Sequence, residues 1–181
     1  MQKNEVRIIA GLLKGRLVRF PSALALRPTP NRLKETLFNW LGQNLNGYCV
    51  LDLFSGSASL GFEAFSRGAD CVYVNDSNKE VARTIYQNAQ MFNLPRARFQ
   101  VFQQDAFDLL NNWQEEKLDL VFLDPPFAKN WWQQFENLLP LLNENAIVYV
   151  ENNAEVRQFF HLKRIKFSRA GQVYAHLFQN Q

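Results

Sequence analysis

Tyr48-Cys-Val-Leu-Asp52-Leu-Phe54-Ser-Gly56-Ser-Ala58-Ser-Leu-Gly61 decides how the rest of the chain is read. A continuous apolar run ends in an acid, breaks on a Gly/Ser turn, and opens into Leu60–Arg67 with helical spacing. A strand apolar throughout is one buried on both faces of a parallel sheet. Glycine at Gly56 lets backbone approach a ligand, and glycine at Gly61 lets the helix close on the strand. Outward from this unit the pattern repeats. Strands are predicted at Tyr48–Phe54, Cys71–Asn75, Phe99–Phe102, Leu118–Leu123 and Ala146–Val150. Helices are predicted at Lys79–Phe92, Ala106–Trp113, Trp131–Leu142 and Glu155–Phe160. Alternation of this kind requires right-handed crossovers and a parallel sheet covered on both faces. Arg164–Phe167 and Val173–Phe178, joined through Ala170–Gly171, add an antiparallel edge hairpin. The fold class is therefore doubly wound, Rossmann-like α/β.

The first 42 residues read differently, as an extension before a main domain at 43–181. Val6–Ala10 and Leu17–Phe20, separated by Gly11 and Lys14–Gly15, resemble a β-hairpin. Thr29 and Pro30 then start a helix at Asn31–Leu41, with Leu33, Leu37, Phe38 and Leu41 on one side. Residues 1–40 hold eight Lys/Arg against two Glu, a balance of +6, while the remainder balances at −3. A second basic cluster is Lys163, Arg164, Lys166 and Arg169. A basic arm on a neutral-to-acidic body suits nucleic acid, although a merely solvated face has the same composition.

Composition narrows the classes further. With 181 residues, 47% of them apolar, the chain fills one ordinary domain and is no disordered tail. No apolar run is long enough for a membrane span, and Met1–Arg16 lacks the pattern of a secretory leader. Cys49 and Cys71 read as separate, reduced core thiols of a cytoplasmic protein, with too few further ligands for zinc.

Ligands of such a sheet bind beyond the carboxyl ends of its strands, so the residues after each strand are the candidates. Asp76 follows the second strand 20 residues after Gly56, a spacing suited to ribose hydroxyls and equally to a helix cap. Asp105 and Ala106 follow the third strand; a carboxylate there can accept from an adenine amine or cap the next helix. After the fourth strand stands Asp124-Pro125-Pro126-Phe127. Two prolines fix the chain and remove two N–H donors, leaving carbonyls as acceptors. Asp124 and the Pro125 carbonyl can then take both hydrogens of an amino group, with Phe127 stacked on the attached ring. A structural turn accounts for the prolines but not for the flanking acid and aromatic.

Asp124–Phe127 resembles the (D/N/S)PP(Y/F/W) motif of class I S-adenosylmethionine-dependent methyltransferases acting on amino nitrogen. Arg27-Pro-Thr-Pro-Asn-Arg32-Leu-Lys-Glu35-Thr-Leu-Phe-Asn-Trp40-Leu, Leu51–Ser57 and Leu60–Ala64 closely resemble the bacterial guanine-N2 methyltransferases of small-subunit (16S) ribosomal RNA. The resemblance implies S-adenosylmethionine as cofactor and S-adenosylhomocysteine as product. It implies cofactor contacts at Asp52, Phe54, Gly56, Ala58, Gly61, Asp76, Asp105 and Ala106. Asp124, Pro125, Pro126 and Phe127 would be catalytic, without a metal. Arg7, Lys14, Arg16, Arg19, Arg27, Arg32 and Lys34 would hold RNA phosphates. The implied partner is 16S rRNA in the small ribosomal subunit or its assembly intermediate, met by a monomer in the cytoplasm.

The family's turn usually has Gly at the position of Ala58; a positive φ there would cost Ala roughly 1–2 kcal/mol. Two alternatives remain at this point. An adenine-N6 nucleic-acid methyltransferase shares the motif, and a non-catalytic RNA-binding module would keep only the basic arm.

Overall fold

The computed structural model describes residues 4–21, 31–126 and 132–181. The arm folds as the expected hairpin: β1 (Glu5–Arg7) pairs antiparallel with β2 (Leu17–Arg19), and helix α1 (Asn31–Leu41) follows. Leu33, Leu37 and Phe38 face inward on α1 while Arg32 and Glu35 face out. The alternating region then gives β3 (Cys49–Asp52), α2 (Ser59–Ser66), β4 (Cys71–Asn75), α3 (Lys79–Met91), β5 (Phe99–Phe102), α4 (Ala106–Asn111) and β6 (Leu118–Leu123). A 3₁₀ segment (Trp132–Leu141) leads into β7 (Leu142–Asn152), followed by β8 (Lys163–Ala170) and β9 (Val173–Gln179).

The sheet runs β5-β4-β3-β6-β7-β9-β8. The first five members are mutually parallel, and β9 is antiparallel to both β7 and β8. Val50, Leu51, Val72, Val74, Leu120 and Val121 are fully buried, as the uninterrupted apolar runs require. They divide between two core clusters, one on each face.

Three expectations about local structure and pairing need correcting. Glu155–Phe160 is not helical. The Val156 amide donates to Nε2 of His176 (3.2 Å), Arg164 donates to Glu155 (2.8 Å) and to the Val156 carbonyl, and Phe160 takes φ +52°. The Val156 carbonyl, which a helix would give to the Phe160 amide, is taken by Arg164 of β8, and the left-handed Phe160 departs from helical backbone. The segment before β7 is 3₁₀ instead of α-helical, and Pro140, which cannot donate within a helix, lies inside it. Cys49 and Cys71 are not separate thiols. They are the first residues of β3 and β4, paired in register with Cα atoms 4.7 Å apart, and they form a disulfide. Glu116 lies beside them, but the two sulfurs are bonded to each other and are lost as thiolate ligands.

The arm shares the core of the main domain. Val6, Ile8, Leu13 and Val18 are buried in the same cluster as Val50, Phe62 and Leu120. Glu63, the one charged residue of α2, is the anchor. Its carboxylate accepts from the amides of Ile9 (2.8 Å) and Ala10 (3.0 Å). It also pairs with Arg67 at 2.9 Å and with Lys34 at 3.7 Å, all three side chains being essentially buried. Ser66 accepts from the Leu13 amide and donates to the Ala10 carbonyl. Asn88 on α3 pairs with the backbone of Arg19 through both ends of its amide. Gly11 is fixed by this docking: its φ is +78°, and a Cβ there would sit 1.8 Å from the Ser66 carbonyl oxygen.

Lys34 thus leaves the set of phosphate contacts. It is 0% exposed, its Nζ donates to the Arg7 carbonyl at 2.7 Å, and burial lowers its pKa against the pull of Glu63. Its charge serves the attachment of the arm.

Glu63→Gln leaves Lys34 and Arg67 buried without a counter-charge. The expected loss is roughly 3–5 kcal/mol of stability in urea unfolding; a loss under about 1 kcal/mol would mean the cations are compensated elsewhere.

Candidate active site

β3 lies between β4 and β6, so the chain winds one way from β3 through β5 and then crosses to the other side of β3. At such a reversal the connections after the two central strands diverge and leave a crevice. The turn after β3 and Asp124–Pro125 after β6 both open onto it.

Short hydrogen bonds build the turn. Ser55 Oγ donates to the Asp52 carbonyl (2.7 Å) and accepts from the Asn75 amide (3.0 Å), while the Ser55 amide donates to the Asn75 carbonyl (2.9 Å). The Asn75 side chain donates to Leu53 and Gln104 carbonyls and accepts from the Gln104 amide. Ser55 and Asn75 therefore tie the carboxyl ends of β3, β4 and β5 together. The sequence reading missed both; an Asn ending a wholly buried strand was the available signal, because a buried amide must be paired.

Each expected cofactor residue has a definite place. Asp52 is 4% exposed and accepts from the Gly61 amide at 3.1 Å. A Cβ on Gly61 would lie 2.6 Å from Val74, so glycine is what lets α2 close on the sheet. Asp76 accepts from the Gly56 amide (3.1 Å) with one oxygen and from the Asn78 amide (2.9 Å) with the other. The 20-residue spacing is thus a direct contact. Ala58 is buried at φ 55°, ψ 27°, so the left-handed strain of roughly 1–2 kcal/mol applies. Phe54 is half-buried, edge-on to Phe107 and Phe135, and Ala106 is buried at the start of α4. Asp105 Oδ1 caps α4 by accepting from Phe107 and Asp108 amides, so a ligand amine must use Oδ2. Asp124 is half-buried, Pro125 buried and Pro126 exposed. Phe127 and Arg27 lie outside the described residues.

The carboxylates dominate the electrostatics. Burial pushes Asp52 up to about 7, with Asp124 and Asp76 adding repulsion and the Gly61 bond opposing it. Burial likewise raises Asp124 to about 6 and moves Asp76 upward. Behind them Tyr149 donates to the buried Glu151 at 2.8 Å, a polar pair on β7 that the apolar run concealed. No Lys or Arg among the described residues forms an ion pair with Asp52, Asp76 or Asp124. Such a crevice suits a ligand with a positive centre and several hydrogen-bond donors.

The remaining basic residues of the arm lie outside. Arg7, Lys14, Arg16, Arg19 and Arg32 are exposed. Arg16 sits 5.4 Å over the Phe92 ring and Arg19 pairs with Glu5 at 3.3 Å.

A raised carboxyl pKa stabilises the fold fully below the ordinary value near 4, and that contribution is lost as pH rises through the folded value, about 7 for Asp52. Asp52→Asn keeps an acceptor for Gly61 and removes the ionisation. We expect it to raise the unfolding free energy at pH 8 by on the order of 2–3 kcal/mol and to change it little at pH 4. Equal effects at both pH values would contradict the assignment.

The chain is similar to known proteins over nearly its whole length. The family described as Conserved hypothetical protein 95 matches residues 6–179. The chain is 43% identical to Ribosomal RNA small subunit methyltransferase D of Haemophilus influenzae over 157 residues, 84% of this chain and 81% of that protein. It is 34% identical to the protein of the same name from Escherichia coli K12, covering 98% of this chain and 91% of that one. The solved Escherichia coli structure named yhhF superposes with a TM-score of 0.84 at 30% identity, over 98% of both chains.

Proposed function

Because this chain belongs to the family of the ribosomal RNA small subunit methyltransferase D proteins, we propose that it methylates the exocyclic N2 amine of a guanine in small-subunit ribosomal RNA, using S-adenosylmethionine. The observation that carries this reading is the meeting of Asp124 and Pro125, at the end of β6, with Asp52, at the end of β3, across the crevice where the strand order reverses.

When bound, S-adenosylmethionine supplies a methyl group already activated by its sulfonium, so transfer is an in-line displacement that needs no covalent enzyme intermediate. The residues present fit such a ligand. Asp52, buried and without an ion-pair partner among the described residues, favours a cationic group beside it. Asp76 faces the turn from the neighbouring strand, suited to ribose hydroxyls, and Asp105 Oδ2 suits an exocyclic amine.

Asp124 and the Pro125 carbonyl take the hydrogens of the guanine amine. Accepting both favours a more tetrahedral nitrogen whose lone pair points at the methyl. The Asp124 charge stabilises the positive charge that develops there, and Asp124 takes the surplus proton of the nitrogen once the N–C bond has formed. Pro125 and Pro126 hold the chain without presenting N–H groups to the amine. Phe127 follows in the motif as the stacking ring for the base. Well-oriented groups of this kind reach effective molarities of about 10⁵–10⁸ M, so positioning supplies much of the rate. The amine of a paired guanine is out of reach of this pocket, and the substrate guanine is unpaired or flipped. Arg7, Lys14, Arg16, Arg19 and Arg32 hold flanking phosphates, with Lys34 excluded by its burial.

Asp124→Ala is expected to lower kcat by roughly 10²–10³-fold while calorimetry shows S-adenosylmethionine binding retained; near-normal turnover would remove Asp124 from the reaction. The acceptor is the ionised carboxylate, so wild-type kcat should climb with pH through about 6, and a flat profile from pH 5 to 8 would contradict that role. Replacing Lys14, Arg16 and Arg19 by Ala should weaken RNA binding and flatten its log–log salt slope by roughly 0.7 per lost phosphate contact; an unchanged slope would make these charges a solvated face.

A further inference from the structure

We infer that one face of the β8–β9 hairpin is a stacking platform for unpaired nucleotides flanking the methylated guanine; this rests on the RNA methyltransferase reading above. The hairpin carries the second basic cluster, and β8 is an edge strand. Lys163, Arg164, Lys166 and Arg169 lie along β8, which contains no acidic residue. Glu155 engages Arg164 and Arg157, and among the described residues Lys163, Lys166 and Arg169 have no carboxylate partner.

On the face that carries Arg164 and Arg169 stand rings that the core does not need, while Lys163 and Lys166, paired with Gln179 and Leu177, point to the other face. Phe167 is 44% exposed and Ile165 38% exposed, although each is large and apolar. Phe167 faces Tyr174 across the hairpin at 6.2 Å. Arg164 lies 5.3 Å over Phe167, and Arg169 lies 4.8 Å over Tyr174. Cation, ring, ring and cation thus follow one another along the surface. The fully buried His176 is the cross-strand neighbour of Phe167 on this face, with ring centroids 5.2 Å apart, and Phe178 lies beyond it at 5.9 Å, so one side of the platform is held by packed rings. Aromatic faces set among cations bind single strands by stacking, with little regard to base identity.

The register places this surface at the working edge of the sheet. Leu123 pairs with Val150, Val150 with His176, and His176 with Phe167. Phe167 therefore shares a row with the residue immediately before Asp124, three strand spacings or roughly 14 Å away. Arg169 and Tyr174 lie further along toward the same rim. A strand whose guanine enters the crevice passes within reach of the platform. An added protein strand is a poorer occupant, because lysines and arginines along an edge strand oppose β-pairing.

Filter binding of a 12-nucleotide oligoadenylate and of a perfect RNA duplex, at fixed salt, tests this on the full-length protein. Phe167→Ala should weaken the single strand by roughly 5- to 100-fold, leave duplex binding, S-adenosylmethionine affinity and the salt slope unchanged, and be rescued by Phe167→Trp. Arg169→Ala should instead reduce the salt slope. Undiminished oligoadenylate binding by Phe167→Ala, in a protein that still transfers methyl groups to ribosomal RNA, would overturn the platform alone. Equal weakening of duplex and single strand would overturn it too, by making Phe167 a packing residue. A wild-type protein that neither binds RNA nor transfers a methyl group would overturn the functional reading and this one together.

Discussion

The hydrogen bond from the Gly61 amide to the buried Asp52 carboxylate holds the start of α2 against the end of β3, and the geometry of the site is arranged around it. It works only at the close approach that glycine permits, since a methyl at position 61 would collide with Val74. It also fixes the turn between them, in which Ala58 takes a left-handed conformation and Gly56 reaches Asp76 on the next strand. With these contacts made, three carboxylates converge on the point where the strand order reverses.

That convergence opposes stability. Asp52 and Asp124 are drawn out of water and repel each other, so each resists ionisation. A fold selected for stability alone would have apolar or amide side chains there. A cationic ligand relieves the repulsion, which is why the arrangement reads as a binding site. Elsewhere the chain treats buried charge differently: Glu63 is matched by Lys34, Arg67 and two backbone amides, and that network locks the basic arm onto the main domain. One set of buried charges is internally compensated; the other has no ion-pair partner among the described residues.

Much of this was legible in the sequence because the signals were local. Uninterrupted apolar runs located β4, β5 and β6 to the residue, and helical spacing located α1. The strand-end rule pointed to Asp52, Asp76, Asp105 and Asp124 as candidates, and Asp52, Asp76 and Asp124 lie close enough together to repel. What escaped depended on pairing across distance. Lys34 looked like one of a run of arm cations, and only its approach to Glu63, far along the chain, shows it to be an internal group. Cys49 and Cys71 became partners through strand register, which spacing does not reveal. Glu155–Phe160 had helical spacing, but its backbone and acid are claimed by His176 and Arg164. A lone acid in a mostly apolar helix and an amide closing a buried strand were readable hints of Glu63 and Asn75.

The central claim, that the crevice between β3 and β6 joins a methyl donor to a guanine amine, is tested most directly by isotope. The protein is given S-adenosylmethionine labelled in its methyl group and small ribosomal subunits from an undermethylated strain, and the RNA is digested to nucleosides for mass spectrometry. The account predicts label in N2-methylguanosine. Label in N6-methyladenosine, or none in RNA under conditions where the protein binds both ligands, would contradict it.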